Sequence, residues 1–455
     1  MKNEEYPVNR LSRREFTDAL QKGLGRARLY AIRYGIDEVA DIVLKACLHD
    51  QANDPQSEHS KAKYLFAIFQ NTKYLSGFKE AILSSLKTKR NTWDVQLLFE
   101  LALKMAMAGD FDSRIAIRDK ALRKAKKRSV DDWLGAQELI TIYGKEGAIE
   151  LAKTYGSRLL KNPEDFVPED EIFPNEEIKN EFHNILLNNS RNLPELKAYR
   201  NYLESRRAKP RTGLSSGTET ISQRRKQEIR KYYNLDSILN YARNKIDKYG
   251  SRFVQFGSVA TPEELKVVYK NLLNETDVDI IWRLLNVFSK VPLPDLNGKL
   301  FIWAHAQDFH IRESAIQALS QNRDNKVHSL ARKKVQTSKL VGADSGSIEL
   351  FVNNYKHDDA KLITDALYRT TPTKEDAHRL AWDIIDLSKK YQDPSLGEAL
   401  KWSYEKTPCS ACRYRIVKQL DLLGQLDNKI LYECQFDSNE EILALAWKKL
   451  VSTNP

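Results

Sequence analysis

The chain has little of what marks most other classes of protein. Its four cysteines, Cys47, Cys409, Cys412 and Cys434, are too few and too unevenly spaced in 455 residues for a disulfide-stapled secreted fold, so a reducing compartment is the simpler expectation. Glycine (18) and proline (14) are scarce, which excludes the turn-rich texture of an all-β protein. No apolar run is long: WDVQLLFELALKMAMAG is interrupted by Glu100 and Lys104, short of the roughly 20 apolar residues of a membrane span. The first residues, MKNEEYPVNRLSRREF, carry charge where an export signal needs a run of about 7–15 apolar residues. A cytoplasmic location without membrane contact is expected. A P-loop, a GxGxxG after a strand, a GxSxG and the kinase motif set are also missing, which removes the common enzyme classes.

What is present favours helix. Charged residues make up 30% of the chain, and Leu, Lys, Glu and Ala recur throughout. Residues 308–319 read DFHIRESAIQAL, with Ile311, Ala315, Ile316 and Leu319 on one face of a helix. The same spacing returns at Ile280, Leu284, Leu285, Phe288, at Ala377, Ala381, Trp382, Ile385, at Cys412, Ile416, Val417, Leu420 and at Ile442, Ala446, Trp447, Leu450. The first anchors follow one another at about 30–35 residues, with one double interval between Ile311 and Ala377. A lone helical hairpin cannot cover its own apolar stripe, so a period of this length predicts hairpins stacked on a shared core. The fold expected is all-α, a helical-hairpin solenoid in which two helical halves flank a flexible basic linker. The boundaries expected are an N-terminal helical domain over 1–204, a linker over 205–226 and a repeat domain over 227–455. In the first half, Asp131 and Thr92 are read as helix starts.

Several of these segments resemble HEAT repeats. DFHIRESAIQALS is similar to the second helix of such a repeat, with an acidic residue at the turn, then Ile-Arg and an Ala-x-x-Ala/Leu pattern; DSNEEILALAWKKL at 437–450 is a looser copy without the arginine. LSRREFTDALQKGLGRARL, ACLHDQANDPQSEHSKAKYL and PCSACRYRIVKQL also resemble an uncharacterised bacterial HEAT-repeat family. The resemblance implies a right-handed superhelix that presents a curved surface to a partner, and it carries no catalytic motif. The function it implies is a non-catalytic scaffold or adaptor binding a protein. The alternative is a nucleic-acid-binding HEAT-like protein or an enzyme of the DNA-repair type.

The net charge of +11 is local. Residues 205–231 hold nine Lys and Arg against two Glu, and residues 120–128, KALRKAKKR, hold six and no acid, more than the whole surplus between them. Nucleic-acid contact therefore falls on Arg206, Arg207, Arg224, Arg225, Lys226, Arg230 and Lys231, where Tyr232 and Tyr233 add rings able to stack on unpaired bases. Residues 161–177 hold three prolines and seven acids; they read as an extended acidic loop that can fold back on those basic stretches.

Two clusters could carry chemistry. His49, Asp50, Asp54, Glu58 and His59 crowd HDQANDPQSEH, which reads either as a hydrolytic or metal site or as turn chemistry around Pro55. Cys409 and Cys412 form a CxxC, but no histidine follows His378 to complete four ligands, and Cys412 occupies a core anchor. Buried cysteines, with no metal and no cofactor, are the expectation. His305 and His310, five residues apart, do not share a helix face.

Overall fold

The structure is a computed structural model and describes residues 9–169, 172–189, 193–208, 221–245 and 249–453. These residues are helical and contain no strand. The chain divides into two compact units: residues 1–216 together with 428–455, and residues 217–427. The last 28 residues thus belong with the first unit, where the repeat spacing alone has them continuing the second.

In the first unit the most apolar stretch of the sequence becomes the central helix, Thr92–Met107. It packs against the helices Ala40–Leu48, Ala62–Phe69, Leu75–Thr88, Phe111–Ala125 and Ala136–Lys161. Val95, Leu97, Leu98, Phe99, Leu101, Ala102, Met105 and Ala106 are all buried on it, which is why the segment is apolar on nearly every side. Its cap is Asn91, whose side chain accepts from the amides of Trp93 and Asp94, one residue ahead of the Thr92 expected from sequence. Asp131 caps nothing; it pairs with Lys124 at 2.5 Å, and the next helix starts at Ala136. The C-terminal helices Asn428–Cys434 and Glu440–Thr453 are tied to this unit by Arg26, whose guanidinium donates to both oxygens of the buried Glu433 at 2.7 and 2.9 Å, and by the Ser438 amide, which donates to Gly23 O. The backbone approach there is so close that a Cβ on Gly25 would lie 1.9 Å from Glu433 O.

In the second unit the helices Val278–Asn286, Phe309–Ser320, Lys374–Tyr391 and Ser410–Leu422 follow the register read from the sequence. Packing runs from each to the next, with a 3₁₀ helix, Gly342–Phe351, between the second and third. That 3₁₀ helix fills the double interval in the spacing and buries Ala343, Ile348, Leu350 and Phe351. Its first half, GADSGS, is rich in glycine, serine and aspartate, which are weak helix formers. Gly346 lets the Arg379 guanidinium lie close, since a Cβ there would be 2.3 Å from it and the arginine would have to shift. Of the repeat anchors all are buried except Ile280, Trp382, Trp447 and Leu450.

Asparagines bridge successive turns of this unit. Asn322 donates to Leu293 O and accepts from Leu293 N at 3.1 and 3.0 Å. Asn354 does the same one repeat later, to Asn322 O and from Asp324 N at 2.9 and 2.8 Å. An amide side chain supplies one donor pair and one acceptor, which is what an open backbone N–H and C=O at a turn require.

Candidate functional site

Part of the charge of the basic segments is paired within the chain, at Lys124, Arg128, Arg206 and Arg230. On 120–128, Lys120 is buried and donates to the carbonyls of Lys87 and Lys89 at 3.2 Å, closing the end of the helix Leu75–Thr88. Lys124 pairs with Asp131, and Arg128 lies 3.3 Å from Asp165. Asp165 belongs to the acidic loop, which does fold back as its composition suggests. Its anchor is the buried Arg158, bonded to Asp132 (2.6 Å), to Asp165 (2.9 Å) and to the carbonyls of Ala125 and Phe166. Burial pushes the Asp132 carboxyl up even with Arg158 against it. Tyr199 and Tyr202 donate to Pro168 O and Val167 O, and Arg206, 3.6 Å from Glu169, lies over the rings of Phe166 and Tyr202.

Of the other candidate nucleic-acid residues, Arg230 is engaged by Glu264 (2.9 Å) and Val259 O. Arg225, Lys226, Lys231 and Tyr232 are exposed on the helix Ile221–Tyr232, and Tyr233 is half-buried. The side chains of Arg207 and Arg224, and residues 209–220 of the expected linker, lie outside the described residues.

The stretch from His49 to His59 is held by turn chemistry, with a small cavity beside it. Glu58 accepts from the amides of Asn53 and Asp54, Asp54 accepts from Gln56 N and Ser57, and Ser60 accepts from Ala62 N at the next helix start. His49 faces Asp94 and Lys89, while His59 faces Glu441. Asp50, Glu58 and His59 do line a cavity with Lys61 and Glu100, but its volume of 40 Å³ is that of about one water molecule. Burial raises the carboxyls of Asp50 and Glu100, and pushes that of Glu138, which also feels Glu100, up to about 7. His305 and His310 fall on either side of the turn between the helices Gly298–Trp303 and Phe309–Ser320, with His310 against the ring of Trp282.

One cluster was not assembled by sequence reasoning. Cys409 caps the helix Ser410–Leu422, its Sγ accepting from Cys412 N at 3.4 Å, and Cys412 stands in the first turn. Across the packed helix pair, His378 of Lys374–Tyr391 brings Nε2 to 3.2 Å from Cys412 Sγ. The three donor atoms lie within 4.8 Å of one another; the cysteines are buried and the histidine half-buried. Trp382, one helical turn on, donates its indole N–H to His378 Nε2 at 3.1 Å and lies under Arg415, 4.4 Å from the ring centre. Two thiols and an imidazole are a donor set for a borderline-soft metal ion. The signal available in sequence was the repeat length: His378 precedes Cys412 by 34 residues, one hairpin.

The described residues are helical throughout, and no described helix is long and apolar enough to cross a membrane. No family model matches the chain, and no curated protein matches it either.

Proposed function

We propose that the chain is a non-catalytic scaffold of HEAT-like helical hairpins that binds a protein partner on a helical surface. The observation that carries this reading is an exposed apolar stripe on the helix Glu440–Thr453. Ala444, Trp447 and Val451 all face solvent, at the i, i+3, i+7 spacing of one helix face, and Trp447 and Val451 are 59% and 70% exposed. A tryptophan on an otherwise polar surface is a typical centre of protein–protein binding energy. The hairpin packing and asparagine bridges of residues 217–427 support the repeat architecture, and the HEAT resemblance supports its type.

A second reading, nucleic-acid binding, keeps one specific support: Tyr232 is exposed beside Arg225, Lys226 and Lys231. Against it stands the pairing of Lys124, Arg128, Arg206 and Arg230 with carboxylates of the same chain.

The test is purification from the natural host at low salt, with and without nuclease, for the wild type, Trp447→Ala, and Arg224, Arg225 and Lys226 together changed to Ser. A stoichiometric protein is expected that survives nuclease and whose affinity falls at least about ten-fold, 1.4 kcal/mol, in Trp447→Ala. If polynucleotide co-purifies instead, and the triple substitution lowers its salt slope by about three, the second reading replaces the first.

A further inference from the structure

We propose that His378, Cys409 and Cys412 form a binding site for one zinc(II) ion. A tetrahedral zinc with Zn–S near 2.3 Å and Zn–N near 2.0–2.1 Å sets its ligands about 3.5–3.8 Å apart. The three donors already lie within 4.8 Å, with one pair at 3.2 Å, so side-chain adjustments of under about 1 Å close the site with the helices where they are.

The repeat itself marks the two cysteines as out of place. The N-cap of the corresponding helix is Asp277, Asp308, Thr373 and Asn439 in the other hairpins, residues whose oxygens cap well; here it is Cys409, which caps poorly. Three residues on, the position is Ile280, Ile311 and Ile442 in three of those four, and Cys412 here. Both cysteines are buried, so each also packs as a small apolar residue; packing alone does not require sulfur at both positions of one hairpin with an imidazole nitrogen 3.2 Å away. Both changes occur in one hairpin, and the hairpin before it contributes the histidine. A helix N-terminus also favours negative charge, which suits a zinc-bound thiolate.

On binding, each thiol loses its proton to solvent and the sulfur and Nε2 lone pairs occupy three corners of the tetrahedron, leaving the fourth for water. Trp382 then gives up its hydrogen bond to Nε2, so its emission reports occupancy. The ion would staple the helix Ser410–Leu422 to Lys374–Tyr391 through side chains rather than through packing alone.

The experiment uses the full chain purified under reducing conditions, with metal content measured as isolated and cobalt(II) then zinc(II) titrated into the stripped protein. The expected results are one zinc per chain, thiolate-to-cobalt charge-transfer bands in the near ultraviolet, a rise in melting temperature on adding zinc, and a zinc-dependent emission change absent in Trp382→Phe. Cys409→Ser keeps a good cap, so it should fold while binding zinc at least ten-fold more weakly; His378→Asn should weaken it similarly and Cys47→Ser not at all. The inference is overturned if cobalt gives no charge-transfer band, if zinc binds Cys409→Ser and His378→Asn as tightly as wild type, or if the chain is isolated metal-free with Cys409 and Cys412 joined in a disulfide. None of these outcomes depends on whether a protein partner is found.

Discussion

Glu138 is a carboxylic acid placed where ionisation is costly. Its side chain is half-buried in the first unit, and burial together with the nearby Glu100 raises its carboxyl to about 7 from 4.5. Below about pH 4.5 both folded and unfolded chains carry the proton and the group contributes nothing to pH dependence. Between about 4.5 and 7 the unfolded chain ionises while the folded chain keeps its proton, so stability falls as pH rises; above 7 the full penalty is present. The loss is on the order of 3 kcal/mol. Glu138→Gln preserves the shape and removes the titration, so denaturant unfolding across this range should show the variant gaining on wild type by that amount as pH increases. A difference between the two that stays flat with pH would refute the assignment. Arg158 has the opposite design, a buried cation held by Asp132 and Asp165 that also donates to Ala125 O and so keeps the acidic loop against the end of the helix Phe111–Ala125.

At the level of elements, the second unit is held by repeated polar devices as much as by its apolar stripe. Asn322 serves both backbone groups of Leu293, and the Asn322 carbonyl is in turn served by Asn354. Asn322→Ala leaves the Leu293 N–H and C=O without that partner, and a loss of about 1–3 kcal/mol is expected, read as a lower denaturant midpoint. Asn353→Ala, whose amide serves only the single carbonyl of Ser320 while its Oδ1 meets the exposed Lys390, should cost less. The stripe was legible in the sequence because helical periodicity is a direct consequence of one-sided burial. Sixteen of the anchors read that way are buried, and the 3₁₀ helix stands in the gap where the period required an element. Trp382 and Trp447 were misread for the converse reason: spacing gives the register of a residue but not whether a neighbour covers it. The His378 cluster is hidden in the sequence because the CxxC has no histidine after it, whereas helix packing brings in one that stands 34 residues before Cys412.

For the molecule as a whole, the unexpected feature is that the first unit contains both ends of the described chain. Nothing local announces it, since Arg26 and Glu433 are 407 residues apart and each looks like an ordinary surface charge in sequence. What makes the association specific is the pair of glycines at the contact. Gly23 offers its carbonyl to Ser438 N and has a positive φ of 74°, and Gly25 leaves room for the Glu433 backbone. Gly25→Ala should therefore act as a wedge. A Cβ at 1.9 Å from a carbonyl oxygen cannot be absorbed by a rotamer change, so the helix Asn428–Cys434 must move away, taking with it the partner of Arg26 and leaving a buried carboxylate to find water. Breaking such a pair costs about 3–5 kcal/mol where both groups are buried, and somewhat less here because Arg26 is 28% exposed. The consequence should be regional. Hydrogen exchange and limited proteolysis should both rise over 428–453 and over the helix Gly25–Tyr34, while exchange in the helix Phe309–Ser320 stays at its wild-type rate. Uniform acceleration throughout the chain would mean instead that the two units unfold as one and that the terminal helices are part of a single cooperative structure.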